Sequence, residues 1–180
     1  QGSTPYNDIG AIAAIRLGGK YLVRAVRDAS DTEARHQLMF ASTLAGLAFG
    51  SAGVHIPHAM SYSVATLKHE FTAAGYEERE AMVPHGLAVV INAPANPGRH
   101  LEAAAALGID IAGAAPEDAV GILAAAFIAL MRATALPSGI AALGYSEADV
   151  PALAEGAFAQ QRPLAMAPRS VSKLDLESIY

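Results

Sequence analysis

Cysteine and tryptophan are absent from the chain of 180 residues, and only 6% of its residues are aromatic. Without cysteine the chain has no disulfides, no thiolate metal ligands and no cysteine nucleophile. Any metal site in this chain must therefore use histidine and carboxylate ligands.

Charge is also scarce, at 16% of residues, and the formal net charge is −5 at pH 7. This balance gives no basic surface for nucleic acid or anionic lipid, so we expect no nucleic-acid partner. The longest uncharged apolar run, residues 119–131, is shorter than the roughly 20 residues that span a bilayer, so it predicts a buried core helix. No N-terminal segment has the pattern of a secretory signal. We therefore expect a soluble, cytoplasmic protein with no membrane partner.

Alanine and aliphatic residues are abundant, and hydrophobic residues make up 53% of the chain. Alanine is the strongest helix former, and no stretch alternates in the manner of a strand. The sequence therefore predicts an all-α fold and a single helical domain over residues 1–180. A cap at Thr4, capping boxes at Ser30 and Ser146, and apolar periodicity indicate the helices. They are predicted at about 4–27, 30–50, 84–91, 99–107, 116–134 and 146–157.

Turn residues and charge predict the remaining segments. Residues 68–82 read as a solvated excursion, 92–98 as a loop, and 161–169 as a tail that wraps the surface. Small residues along 41–50 predict that a neighbouring helix or a cofactor approaches closely there.

Three of the six histidines, His55, His58 and His85, lie within two residues of glycine, alanine or proline. Imidazole is the commonest protein ligand for divalent metals, and small neighbours let the backbone approach an ion. His58 and His85 must come from different elements, which suits a site between helices. By spacing alone the motif is weak, so histidines packed in an alanine-rich core remain an alternative.

The same stretches resemble the C-terminal half of the iron-containing (group III) alcohol dehydrogenases, and most closely their hydroxyacid-oxoacid transhydrogenase branch. The resemblance covers nearly the whole chain. It rests on His58-Ala-Met-Ser-Tyr62, Pro84-His85-Gly86, Ala34-Arg-His-Gln-Leu-Met-Phe-Ala-Ser-Thr-Leu-Ala-Gly46, Arg99-His-Leu-Glu102 and Gly139-Ile-Ala-Ala-Leu-Gly-Tyr-Ser146.

This resemblance implies the multi-helical C-terminal domain of the iron-containing alcohol dehydrogenase and dehydroquinate synthase-like architecture. His58 and His85 fall on family positions that hold Fe²⁺, or another divalent metal such as Zn²⁺. The family completes the site with an Asp and a His upstream of the first helix, and binds NAD(P) mainly in an N-terminal domain. We expect the upstream Asp and His and the N-terminal domain to be absent from this chain. It would then carry half a metal site and no assigned cofactor-binding residues.

Tyr62 is the candidate catalytic residue. Many family members have a histidine four residues after the metal ligand, implicated in proton transfer. A phenol titrates near 10 and cannot relay protons at neutral pH as an imidazole does, which suits the transhydrogenase branch. The alternative is a half-buried core tyrosine whose hydroxyl is bonded locally.

The other candidates have lesser roles. His55 is expected to pack near the site, His36 to be structural and His69 to be solvated. His100 is expected to bond a helix start. Arg99 is a candidate cation for a substrate carboxylate.

The resemblance implies an oxidoreductase that transfers hydride between a small alcohol or hydroxyacid and NAD(P). In the transhydrogenase branch, the reduced cofactor then passes the hydride to an oxoacid. A homodimer is expected, and the isolated chain is expected to be inactive. Two rivals stay open: a non-catalytic helical domain or fragment without metal or cofactor, and a metal-binding bundle with another role.

Overall fold

Helices dominate the structure, a computed structural model that describes residues 2–67, 69–73, 75–76, 81–92, 97–137 and 139–180. Within those ranges no strand forms, and a single bridge pairs Thr72 with Met82. The predicted all-α fold is confirmed. The α-helices are Pro5–Arg27 (α1), Thr32–Ala52 (α2), Ile56–Thr66 (α3), His85–Val90 (α4), Pro97–Ala106 (α5), Ala119–Ala133 (α6), Val150–Phe158 (α7), Gln161–Leu164 (α8) and Lys173–Ile179 (α9).

The chain divides into two compact units. The first comprises Gly2–Gly53 and Ala95–Leu136, and the second comprises Val54–Pro94 and Pro137–Tyr180. The expected single metal-binding domain over 1–180 stays a prediction.

In the first unit, α1 begins as its cap predicts. The Thr4 side chain accepts the Asn7 N–H at 3.2 Å, and Pro5 occupies the first helical position, where its missing N–H costs nothing.

The predicted start of α2 is wrong in detail. The cap is Asp31, whose carboxylate accepts the Ala34 N–H at 2.9 Å. Aspartate is as good an N-cap as serine, and the Ser30 hydroxyl is engaged elsewhere, donating to Asp28 at 2.6 Å. Glu33 contacts Arg24 instead of closing a capping box.

As expected, α1 packs closely against the small residues of α2. A Cβ on Gly10 would lie 3.4 Å from the Leu44 carbonyl oxygen and 3.7 Å from the Ala48 Cβ. An apolar pocket of about 490 Å³ is lined by both helices, among others by Asn7, Ala11 and Ala45.

Helices α5 and α6 complete this unit and require two corrections. Residues 93–96 of the predicted loop lie outside the described residues, but Pro97 and Gly98 belong to α5, because proline is well suited to a first helical position. The apolar run of α6 is buried on one face only. Leu123 and Ala126 are buried, whereas Val120 and Ile128 are exposed.

In the second unit, α3 packs against α4, α7 and α8, and α7 packs against α9. Their shared core consists of small and aliphatic side chains, namely Ala59, Met60, Ala154, Ala157, Leu164 and Leu176. The predicted box at Ser146 is present, since its N–H and hydroxyl both donate to Asp149, at 2.8 and 3.0 Å.

The tail over 161–169 does not simply wrap the surface, contrary to expectation. It forms α8, and Pro163, Leu164 and Ala167 are buried. These three apolar side chains anchor the segment, because α8 packs beside α3, while most of its other residues are exposed.

No single helix in the described part of the chain is long and apolar enough to cross a membrane. Two consecutive helices separated by a bend, Thr32–Ala52 and Ile56–Thr66, have the length and composition of a membrane span only when taken together.

Candidate metal centre

Two helices of the second unit carry the three predicted site residues. α3 begins at Ile56 with Pro57 in its first turn. His58 and Tyr62 are four residues apart on it, so they share one helical face. α4 begins at His85 directly after Pro84, which places this imidazole at the helix start.

The rings of His58, Tyr62 and His85 lie together. The imidazole centroids of His58 and His85 are 5.3 Å apart in an edge-on arrangement at 64°. The Tyr62 ring stacks on His85, with centroids 5.8 Å apart and an angle of 30°. Tyr62 is 41% exposed, so the alternative of a half-buried tyrosine with a locally bonded hydroxyl stays open. The geometry brings the three residues together, and their chemical roles stay predictions.

The environment of His58 favours its neutral form. Partial burial lowers the pKa of His58 below its ordinary value, and the imidazoles of His85 and His55 lower it further. Neutral imidazole is the form that binds a metal. His55 therefore contributes electrostatically beside the site.

The imidazoles of His58 and His85 can provide only part of the ligand set of a metal site. First-row divalent ions normally take three or four protein ligands. Among the residues with described positions, no group of three or more His, Asp or Glu side chains could hold a metal. His58 and His85 can thus supply two nitrogen ligands, and further ligands must come from other groups.

Sequence reasoning missed two tyrosines that contact α3. Tyr145 donates its hydroxyl to the carbonyl oxygen of Val64, and Tyr180 donates to that of Met60 at 2.9 Å. These partners are 81 and 120 residues apart in the chain, so no local pattern could have indicated them.

Arg99 is engaged by carboxylates of its own unit. Its guanidinium lies 2.6 Å from Asp8 and 2.7 Å from Glu102. Two acidic partners match its charge, which argues against the hypothesis that Arg99 binds a substrate carboxylate.

His69 is not simply solvated. Its Nε2 lies 3.3 Å from an Asp149 carboxylate oxygen, and its ring packs edge-on against Tyr145 at 4.8 Å. His36 is exposed on α2, and His100 is partly buried on α5.

Comparison with known proteins identifies the family. A sequence model described as "Fe-containing alcohol dehydrogenase family, C-terminal" matches residues 1–180. The chain is 43% identical over 188 residues to the mitochondrial hydroxyacid-oxoacid transhydrogenase of Rattus norvegicus, covering 100% of this chain and 40% of that protein. The Homo sapiens protein of the same name gives the same identity and coverage. The chain thus spans about two fifths of the length of these relatives.

Solved structures agree with this. A 1,3-propanediol oxidoreductase superposes with a TM-score of 0.84 at 29% identity, over 99% of this chain and 45% of the other. An alcohol dehydrogenase from Oenococcus oeni superposes with a TM-score of 0.83 at 26% identity, over the same shares of the two chains. The fold is that of the helical half of a dehydrogenase. The chain belongs to the Fe-containing alcohol dehydrogenase family, as its C-terminal region.

Proposed function

We propose that this chain supplies the metal-binding half of an NAD(P)-using oxidoreductase that transfers hydride from an alcohol or hydroxyacid, and specifically of a hydroxyacid-oxoacid transhydrogenase. The observation that carries the proposal is the pairing of the His58 and His85 rings at 5.3 Å, on two helices, α3 and α4, that pack against each other. The identity of 43% to transhydrogenases supports the specific reaction.

His58 and His85 would hold the metal, Fe²⁺ or another divalent ion such as Zn²⁺. A divalent ion at this position supplies a Lewis acid that lowers the pKa of a substrate hydroxyl. The contribution of the chain itself would be two imidazole nitrogens, one each from His58 and His85. The lowered pKa of His58 serves this purpose, since less competition from protons favours ligation near neutral pH.

Tyr62 would orient the substrate. Its ring is fixed by stacking on His85 and remains 41% exposed, so its hydroxyl can donate a hydrogen bond to a small molecule beside the two imidazoles. This role needs no change in protonation of the phenol. It therefore differs from the proton relay that a histidine could provide at the same position.

The nicotinamide cofactor is proposed on the family relationship. A sulfoacetaldehyde reductase from Bifidobacterium kashiwanohense, 25% identical and with a TM-score of 0.73, was solved in complex with NAD⁺. This chain has no GxGxxG stretch of its own, so we propose that NAD(P) is bound mainly by a dinucleotide-binding domain outside these residues.

Location and assembly belong to the same proposal. The cytoplasmic location stays a prediction, and the mitochondrial relatives make the mitochondrion the alternative compartment. The homodimer also stays a prediction, which sedimentation of the purified chain tests directly.

A chimera tests the function. Residues 1–180 replace the matching two fifths of the rat transhydrogenase, which supplies the rest of the enzyme. With Fe²⁺ present, we expect conversion of 4-hydroxybutyrate with 2-oxoglutarate as acceptor. His58→Ala or His85→Ala should abolish turnover and metal retention, whereas Tyr62→Phe should raise KM more than it lowers kcat.

His36→Ala is the matched control, because His36 is an exposed histidine on α2. Its chimera should keep full activity. A folded chimera that binds the metal equally well with and without His58 and His85 would contradict the site assignment. Retained metal without turnover would contradict the proposed reaction and favour a metal-binding domain with another role.

A further inference from the structure

The backbone of α3 is bonded by hydroxyl groups along its length. Ser61 donates to the carbonyl of His58 and Thr66 to the carbonyl of Tyr62, each at 2.8 Å. These two bonds are local to the helix. The two long-range bonds are those of Tyr180 to Met60, at 2.9 Å, and of Tyr145 to Val64.

α3 needs such external support because it is short and poorly capped. It has 11 residues, and its N-cap residue His55 makes no side-chain capping bond. Isolated helices shorter than about 12–15 residues are marginal in water, and in proteins they depend on tertiary packing. The position of His58 and Tyr62 therefore depends on whatever holds α3 from outside.

The tyrosines approach α3 from its core side. Met60 and Val64 are both fully buried, at 0% exposure, and they lie four residues apart on one helical face. His58 and Tyr62 are also four residues apart and are partly or largely exposed, so they occupy a different face. A carbonyl oxygen has two lone pairs and can accept a phenol as well as a helical N–H.

We propose that Tyr145 and Tyr180 are positioning residues that fix the axial register of α3, and thereby hold His58 and Tyr62 against His85. This role rests on the proposed function of the His58–His85 pair. Neither tyrosine touches the reacting groups, and both act through the backbone of the helix that carries them.

The surroundings of both tyrosines keep them as donors. Burial raises the pKa of Tyr180 well above its ordinary value, and the neighbouring Ser63 hydroxyl offsets only part of this. Burial, followed by the nearby Asp149 carboxylate, also raises the pKa of Tyr145. Tyr145 is itself flanked by the His69 ring at 4.8 Å, so its hydroxyl is held in a packed environment.

The experiment removes single hydroxyl groups from the 180-residue chain. The variants are Tyr145→Phe, Tyr180→Phe and the double variant. Tyr21→Phe is the matched control, because Tyr21 is 5% exposed and its hydroxyl donates to Glu33 in the other unit. Each single variant loses one buried or partly buried hydroxyl bond, so a general loss of stability affects the three single variants alike.

Two measurements are made on each variant. Nuclear Overhauser effects between the ring protons of His58 and His85, and of Tyr62 and His85, report their separation without any metal. A Zn²⁺ titration followed by the histidine ring resonances reports binding. We expect weaker ring contacts and about fivefold weaker Zn²⁺ binding in each single α3-contacting variant, with wild-type behaviour in Tyr21→Phe.

The outcomes separate the two proposals. If Tyr145→Phe and Tyr180→Phe lose stability as Tyr21→Phe does but keep the ring contacts and the Zn²⁺ affinity, the positioning role is refuted. If the wild-type chain binds no Zn²⁺ through His58 and His85, two imidazoles alone are too few ligands for Zn²⁺, and the proposed metal function is decided by the chimera instead. In that case the ring contacts alone still decide whether the tyrosines position α3.

Discussion

Gly156 on α7 lies so close to Ser63 on α3 that a Cβ at position 156 would stand 3.0 Å from the Ser63 Oγ and 3.3 Å from its Cβ. The missing side chain lets α7 approach the helix that carries His58 and Tyr62. A methyl group there would press on α3 directly, so the contact links packing in this unit to the geometry of the candidate site.

Gly156→Ala should therefore destabilise the chain by about 1 kcal/mol. The overpacking cost of about 1–3 kcal/mol exceeds the gain of about 1 kcal/mol in helix propensity. Urea unfolding measures the change. Adding Ser63→Ala should recover most of the loss, because it removes the Oγ that the new methyl group meets.

Gly121→Ala is the control for helix propensity. Gly121 lies within α6, and a Cβ there would meet nothing within 4 Å. This substitution should stabilise the chain by about 1 kcal/mol. Equal stabilisation by both glycine substitutions would show that the α3–α7 contact is not tight.

The lowered pKa of His58 predicts how stability depends on pH. Burial first, and then the imidazoles of His85 and His55, hold the folded-state pKa of His58 below its ordinary value of 6.5. The unfolded state then binds more protons as the pH falls through about 6.5. Stability from this group is therefore fully present above that pH and is lost as the pH falls toward the lowered folded-state pKa.

The test compares urea midpoints between pH 7.5 and pH 5. His58→Gln should remove part of the slope seen in the wild-type chain over this range. His36→Gln, on the exposed surface of α2, should keep the wild-type slope. The explanation is wrong if both variants keep it.

Asp175 gives a second pH dependence, in a lower window. Bonds from the Ser172 hydroxyl and N–H and from Arg169 lower the pKa of Asp175 from 3.8 to about 2. Its stabilising contribution is present above pH 3.8 and is lost as the pH falls from 3.8 to about 2. Asp175→Asn should therefore destabilise the chain at pH 5, and the difference from wild type should shrink toward pH 2.

The matched control for this measurement is Glu70→Gln, which changes an exposed carboxylate. It should differ little from wild type at either pH. A penalty for Asp175→Asn that is independent of pH would mean that the side-chain shape, and not the ionised carboxylate, supports the start of α9.

The sequence predicted those features that depend on neighbours in the chain. The cap at Thr4 and the box at Ser146 use partners three residues away, and both are present. An equivalent capping box at Ser172 opens α9, and the same sequence rule indicates it. Asp31 displaced the predicted Ser30 cap because two good capping residues stood side by side, and sequence alone does not rank them.

Features that depend on tertiary contacts were not predictable in this way. The assignment of His58 and His85 to a metal site depends chiefly on the family resemblance, because two separated histidines are a weak pattern. The bonds of Tyr145 and Tyr180 to α3 join residues 81 and 120 positions apart. The ion pair of Arg99 with Asp8 likewise depends on the packing of α5 beside α1, whereas its pair with Glu102 is a local i,i+3 contact within α5.

The 180-residue chain by itself should neither retain iron tightly nor oxidise a hydroxyacid. Two imidazoles leave a divalent ion largely hydrated, without the charge of a carboxylate or the contribution of a third imidazole. The sequence also has no GxGxxG stretch to bind a dinucleotide, so hydride has no acceptor held in place. The test adds Fe²⁺, NAD, 4-hydroxybutyrate and 2-oxoglutarate to the purified chain and measures both turnover and retained iron. Iron-dependent conversion that disappears in His58→Ala and in His85→Ala would show that these residues carry a self-contained catalytic site, contrary to the ligand count.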